Sequence, residues 1–293
     1  MKRTILTVLG VFLGCVASNA ALLLHYEFDE AGTTQASSGS EPLNLTTLNY
    51  AGVATNYVTS APARPGSNGN ALNFTDQNVD NGLASGNLAK AAAQANLTNA
   101  NASFLRGDLG SFTISTWVMN EFTPVSGVSG DRRVFSLRNG SAGVVELKVS
   151  NTSLLLSLTG INGSQQFDTG MKVPANVGDW YFLSMTYDST TGGIQIYSGE
   201  QGAVLSLYTA VNATSGVVNT LLTNSTTLAI GNAGYAHDRR FDGYISDVRF
   251  YDEVLSSEQI DALYAVPEPS VGAALGAAAL LASFLRLRTI KAN

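Results

Sequence analysis

Three carboxylates crowd one short stretch, Glu27-Phe28-Asp29-Glu30. Hydrolysis of a glycosidic bond needs two carboxyl groups facing each other across that bond, so this run is the first place to look for catalysis. On an extended strand successive side chains point to opposite faces, which places Glu27 and Asp29 together and turns Glu30 away. A second concentration of chemistry lies in Gly234-Tyr235-Ala236-His237-Asp238-Arg239-Arg240. Tyr235, His237, Arg239 and Arg240 put an aromatic ring, an imidazole and two guanidiniums in one loop. Such groups suit stacking on a sugar and fork-like recognition of a carboxylate, as in an acidic polysaccharide. The alternative is a solvated hairpin. His25 and His237 are the two histidines and lie too far apart to pair through any motif, and Cys15 is the sole cysteine. No Ser-His-Asp order and no Cys/His metal spacing can be assembled, and no glycine cluster forms a phosphate-binding loop.

The rest of the chain has to position these groups. It has 293 residues, 45% of them hydrophobic, enough for a core that needs no disulfide. Sixteen basic against 22 acidic residues, with no basic run, exclude a phosphate-backbone footprint, so nucleic-acid binding is not expected. Lys2 and Arg3, the apolar run Ile5 to Val16 and the small residues Ser18-Asn19-Ala20 predict a secretory signal peptide over 1–20, cut by signal peptidase. Leu13-Gly14-Cys15-Val16 offers a lipoprotein signal as the alternative. After ordinary cleavage the mature chain carries no cysteine.

At the other end, Ser270 to Leu285 is a stretch of 16 residues without a charge, followed by Arg286 and Arg288. As a helix it would be about 24 Å long at about 1.5 Å per residue, short of a bilayer core of about 30 Å. On hydropathy it reads as a marginal membrane helix over about 270–285 or as a terminal buried helix, the basic residues fitting the cytoplasmic side in the first case. Without Lys2, Arg3, Arg286, Arg288 and Lys291 the body is more acidic than the formal charge of −6.

Between 21 and 265 the chain repeats short segments rich in β-branched and aromatic residues, separated by Gly, Asn, Ser and Asp, which predicts an all-β sandwich in one domain. Leu22, Leu24, Tyr26 and Phe28 alternate with Leu23, His25 and Glu27 as one strand. Further strands are expected over Phe112 to Met119, Arg133 to Arg138, Val144 to Val149, Leu154 to Leu158, Trp180 to Tyr187, Gly193 to Ser198, Ala203 to Tyr208, Thr227 to Gly231 and Tyr244 to Tyr251. Ser256 with Gln259 forms a capping box, and Leu255 with Ile260 a hydrophobic staple, so a helix starts there. Leu88 to Asn96 is Ala-rich but has no apolar stripe, and is read as a second helix or a surface loop.

Taken in order, six blocks resemble the LamG-like, concanavalin A-like jelly-roll domains of bacterial surface proteins. They are Leu24-His25-Tyr26-Glu27-Phe28-Asp29-Glu30 with Ser37-Ser38-Gly39, then Gly69 to Phe74, Ser111 to Val118, Gly178 to Asp188, Leu228 to Asn232 and Phe241 to Tyr251. The resemblance implies an antiparallel β-sandwich and, in related domains, one structural Ca²⁺ between the first loop and the last strands. Asp29 and Asp247 are the candidate ligands, the alternative being that Asp29 caps a turn and Asp247 pairs with Arg249. Ala36 stands where the family usually has an aspartate, and Asn87 to Asn101 looks like an insertion. Related glucanases place carboxylates at i, i+2 and i+4 of one strand, a spacing that Glu27, Asp29 and Glu30 do not match, so a non-enzymatic domain is expected.

The tail Pro267-Glu268-Pro269, the short apolar helix and the basic end with Arg286 and Arg288 resemble the PEP-CTERM sorting signal of Gram-negative bacteria, over 266–293. That resemblance implies export, transient inner-membrane anchoring and cleavage by an exosortase, with delivery to the cell surface or extracellular matrix. The combined expectation is an adhesive or polysaccharide-binding surface protein, the alternatives being a glycan-active hydrolase or a purely structural matrix protein.

Overall fold

The computed structural model describes residues 20–48, 53–62, 64, 69–75, 92–97, 103–106, 109–121, 131–150, 153–160, 163–172, 178–212, 225–233 and 241–265. Two eight-stranded sheets face one another. The first runs β14 (Ser206–Asn212), β13 (Gly193–Glu200), β12 (Trp180–Tyr187), β7 (Phe112–Asn120), β16 (Gly243–Tyr251), β5 (Asn70–Asn73) and β4 (Val58–Ser60), with β1 (Leu22–Tyr26) also on β16. The second runs β11 (Gly163–Lys172), β10 (Ser153–Gly160), β9 (Ala142–Ser150), β8 (Asp131–Asn139), β15 (Thr227–Ile230), β6 (Ala92–Asn96), β3 (Leu45–Leu48) and β2 (Thr34–Gln35). The pairings are antiparallel in both. The expected β-sandwich is therefore present.

Alternation along the strands builds two apolar layers. In β12, Leu183, Met185 and Tyr187 enter the core between the sheets, while Trp180 and Phe182 join a second cluster with Trp117, Tyr197 and Ile260. The sheets meet through aromatic rings, with Phe250 of β16 lying 6.3 Å from Phe135 of β8, and within the first sheet Phe250 lies 5.6 Å from Phe112 of β7. Such pairs add about 0.5–1.5 kcal/mol each beyond area burial.

Strand β16 carries the decisive irregularity. Its first half pairs with β5 through Tyr244–Asn73 and Ile245–Leu72, and its second half with β1 through Val248–Tyr26, Arg249–His25 and Phe250–Leu24. Against β7 its register slips between Ser246 and Arg249, and Asp247 adopts φ +55°. With Ile245 facing the core, strict alternation would turn Val248 and Phe250 outward. The extra residue of the bulge restores the phase, and all three are buried in the same core.

Three expectations are corrected. Ala92–Asn96 is a strand rather than a helix or a surface loop, and it is an integral one, seated between β15 and β3. Its alanines are buried, and the small side chains suit a crowded position between two strands, which erases any helical stripe. The strand expected at Ala203 begins at Ser206, after a turn centred on Gly202 at φ +81°. The first strand ends at Tyr26 rather than Phe28, because Phe28 takes φ +58° and turns the chain.

After the one-turn helix α1 (Ser103–Arg106), the helix expected at Ser256 forms as α2 (Ser257–Tyr264), and both halves of its capping box are made. Leu255 and Ile260 are buried as the staple requires, and Tyr264 stacks on Trp117 at 5.7 Å. Substituting Ser256→Ala removes one cap and is expected to cost about 1 kcal/mol, read as a fall in melting temperature of about 2–4 °C.

Candidate functional site

The bulge in β16 brings Asp247 against residues from three separate segments. Its Oδ1 accepts a hydrogen bond from Arg249 Nε at 2.8 Å and lies 2.7 Å from His25 Nε2. Its Oδ2 lies 3.5 Å from an Arg64 nitrogen. His25 Nδ1 is in turn 2.9 Å from Ser38 Oγ, and Glu27 Oε1 lies 3.8 Å from His25 Nε2. His25, Arg64 and Asp247 are buried, whereas Ser38 is exposed. Burial alone would raise the Asp247 pKa; the His25 hydrogen bond and the guanidiniums of Arg249 and Arg64 outweigh it and hold the carboxyl below its ordinary value.

The loop that supplies Ser38 is fastened along β1. Ser38 N–H donates to the His25 carbonyl, Ser40 N–H to Leu22 and Glu41 N–H to Leu23. Gly39 makes this approach possible, since a Cβ there would sit 2.3 Å from the Leu23 carbonyl oxygen. Beside it opens a cleft of about 360 Å³ lined by His25, Glu27, Asp29, Glu30, Gln35 and Ser38. This revises the reading of the acidic run. Because β1 ends before it, Glu27, Asp29 and Glu30 do not alternate across a sheet, and all three reach one cleft.

The two calcium candidates stand in the same neighbourhood, both within the field of Arg64. The Asp247–Arg249 pair of the alternative reading is present, and Asp247 has arginine on both oxygens. Among the described residues no group of three or more His, Cys, Asp or Glu side chains is disposed to hold a metal. The loop residues Tyr235, His237, Arg239 and Arg240 lie outside the described residues, as do 1–19 and the sorting residues Pro267, Glu268, Pro269, Arg286 and Arg288. The base of that loop is nonetheless closed, with the Phe241 N–H donating to the Gly231 carbonyl at 2.8 Å.

A second buried charge cluster was not legible in the sequence. On β9, Val145, Leu147 and Val149 face the core, so Glu146 and Lys148 occupy the opposite face. The Glu146 carboxylate meets Arg133 at 3.1 Å, Arg138, Ser136 at 3.2 Å and Lys148 at 3.6 Å. Burial would raise its pKa, but Arg133, Arg138 and Lys148 together lower it. The only sequence signal is the polar phase of β8 and β9, and pairing between them decides which charges meet.

A family model described as the concanavalin A-like lectin/glucanases superfamily matches residues 90–261, more than half of the chain. The chain belongs to this superfamily. Among solved structures, the binding domain of botulinum neurotoxin serotype G matches at a TM-score of 0.54 and 12% identity, over 83% of this chain and 50% of that one. The binding domain of Paraclostridial Mosquitocidal Protein 1 matches at 0.54 and 10%, over 83% and 52%. The chain thus spans about half the length of these toxin domains, and at such identities the likeness is one of fold. A Ruminococcus gnavus sialidase module, CBM40 bound to α2,3-sialyllactose, matches at 0.44 and 16%, over 59% and 92%. No curated protein matches the chain in sequence.

Two measurements follow from this superfamily member's buried carboxylates. Both Asp247 and Glu146 have depressed values, so their stabilisation is present at neutral pH and is lost as the pH falls through the carboxylate range, beginning near about pH 4–5. Thermal melts from pH 7 to 3 are expected to show this fall. Asp247→Asn should start about 3–5 kcal/mol lower and show a flatter acid limb, since the buried Arg64 and the partly buried Arg249 lose their counter-charge. With arginines already neutralising Asp247, the melting temperature is expected to be the same in EDTA and in millimolar CaCl₂. A rise with Ca²⁺ would place a metal at the site.

Proposed function

We propose that this protein is an exported surface or matrix component that binds carbohydrate or acts in adhesion. The observation that carries the proposal is membership of a lectin/glucanase superfamily over residues 90–261, joined to a two-sheet sandwich. The basic, apolar N-terminus supports export through signal peptidase. The Pro267-Glu268-Pro269 motif with Arg286 and Arg288 supports inner-membrane anchoring and exosortase release in a Gram-negative bacterium. The contact surface proposed for an extracellular polysaccharide is the loop carrying Tyr235, His237, Arg239 and Arg240, which springs from a closed base between β15 and β16. Its guanidiniums favour acidic sugars.

The purified protein is expected to bind acidic glycans on an array, with binding lost in a Tyr235→Ala, Arg239→Ala double variant that keeps its circular dichroism spectrum. Silence of the folded protein across acidic and neutral glycans would sink the reading. One observation favours a second reading, glycan hydrolysis: the convergence of Glu27, Asp29 and Glu30 on a single cleft. Release of reducing ends from a bound glycan would select it.

A further inference from the structure

Ser38, His25 and Asp247 stand in file. Ser38 Oγ is 2.9 Å from His25 Nδ1, and His25 Nε2 is 2.7 Å from Asp247 Oδ1. If Nε2 carries the ring hydrogen toward the carboxylate, Nδ1 presents its lone pair to the Ser38 hydroxyl. The order is that of a nucleophile, a base and an orienting carboxylate, with the two ring nitrogens exchanged relative to the common serine hydrolase arrangement. Base and carboxylate are buried, while the serine is exposed at the rim of the 360 Å³ cleft. Backbone strain gathers at the same place. Among the described residues the non-glycine positions with positive φ are Phe28 and Asp247, one lining the cleft and the other ending the file. Conformations of this kind concentrate at functional sites, where the surrounding structure holds them.

We infer that Ser38 is an activated nucleophile, with His25 its general base and Asp247 a positioning residue, and that it takes acyl groups from small neutral esters. The substrate class follows from the cleft. Glu27, Asp29 and Glu30 line it and repel anions, and its volume admits a short acyl group. In the first step the Ser38 hydroxyl proton moves to His25 Nδ1 as Oγ bonds to the ester carbonyl carbon. The ester C–O bond then breaks, and the departing alkoxide takes the proton from Nδ1. Water attacks the acyl-serine and gives a proton to Nδ1. The C–Oγ bond breaks, the proton returns to Oγ and a carboxylic acid leaves. The backbone sets the rate scale. Ser38 N–H is committed to the His25 carbonyl and Gly39 N–H to Ser37 Oγ, so the two nearest amides do not form an oxyanion hole. One missing donor costs about 100- to 1000-fold, so turnover is slow and the acyl-serine is the species to observe.

The test is covalent labelling of the full-length protein with a fluorophosphonate and with p-nitrophenyl acetate, followed by intact mass and peptide mapping. One adduct on Ser38 is expected, absent in Ser38→Ala. The labelling rate is expected to fall about 100-fold or more in His25→Gln. Asp247→Asn should lower the rate and change its pH profile. Ser38 is exposed, so Ser38→Ala reports on folding: a retained melting curve with loss of the adduct supports the proposal. An unlabelled wild type, adducts spread over several serines, or a rate unchanged in folded His25→Gln would overturn it and leave the file as a clasp between the first loop and β16.

Discussion

A carboxylate taken out of water has to be met by hydrogen bonds or opposite charge, or it will not stay ionised. Asp247 is met by His25 from β1, by Arg249 from its own strand and by Arg64 from the segment between β4 and β5. That requirement holds three distant parts of the chain at one point, and it coincides with the place where β16 changes partner from β5 to β1. The bulge that turns Asp247 toward its partners is also the one that keeps Ile245 and Phe250 in the same core. Electrostatics and packing therefore constrain one residue together. The cleft, the loop fastened along β1 and the convergence of the acidic run are downstream of that point.

The Glu146 cluster obeys the same physics with a different result. It centres on two adjacent strands, so it ties β8 to β9, and its Lys148 reaches Gln166 of β11 at 3.2 Å. Ion pairs of this kind break roughly even against apolar replacements, and their worth lies more in register than in net stability. On the outer face of the first sheet an aromatic layer of Trp117, Trp180, Phe182 and Tyr197 is closed by α2. The helix is set there by its cap and by the stacking of Tyr264 on Trp117. The sandwich is thus fastened by charge at β16 and between β8 and β9, and over one face by aromatic packing.

Most long strands were legible from their runs of β-branched and aromatic residues; Phe112–Asn120 and Trp180–Tyr187 are buried along their whole length, one face in the core between the sheets and the other in the second cluster. Short strands such as Thr34–Gln35 and Val58–Ser60 carry too few residues to show a period. Ala92–Asn96 was misread because buried alanine has no phase to display. His25 was legible as a strand residue. Its role was not, since the partners that define it lie 13 and 222 positions away.

Composition and local pattern by themselves determined the class of fold, the helix with its cap and staple, and the expectation of export and sorting carried by the two ends. Each depends on neighbours in sequence: alternation within a strand, a cap within one turn, an apolar run beside charges. Tertiary structure alone decided that Glu27, Asp29 and Glu30 share a cleft, that Asp247 is ringed by arginines, and that a serine, a histidine and an aspartate stand in line. Those outcomes depend on strand pairing and on one bulge, and a shift of a single residue in register would send the same side chains to the other face.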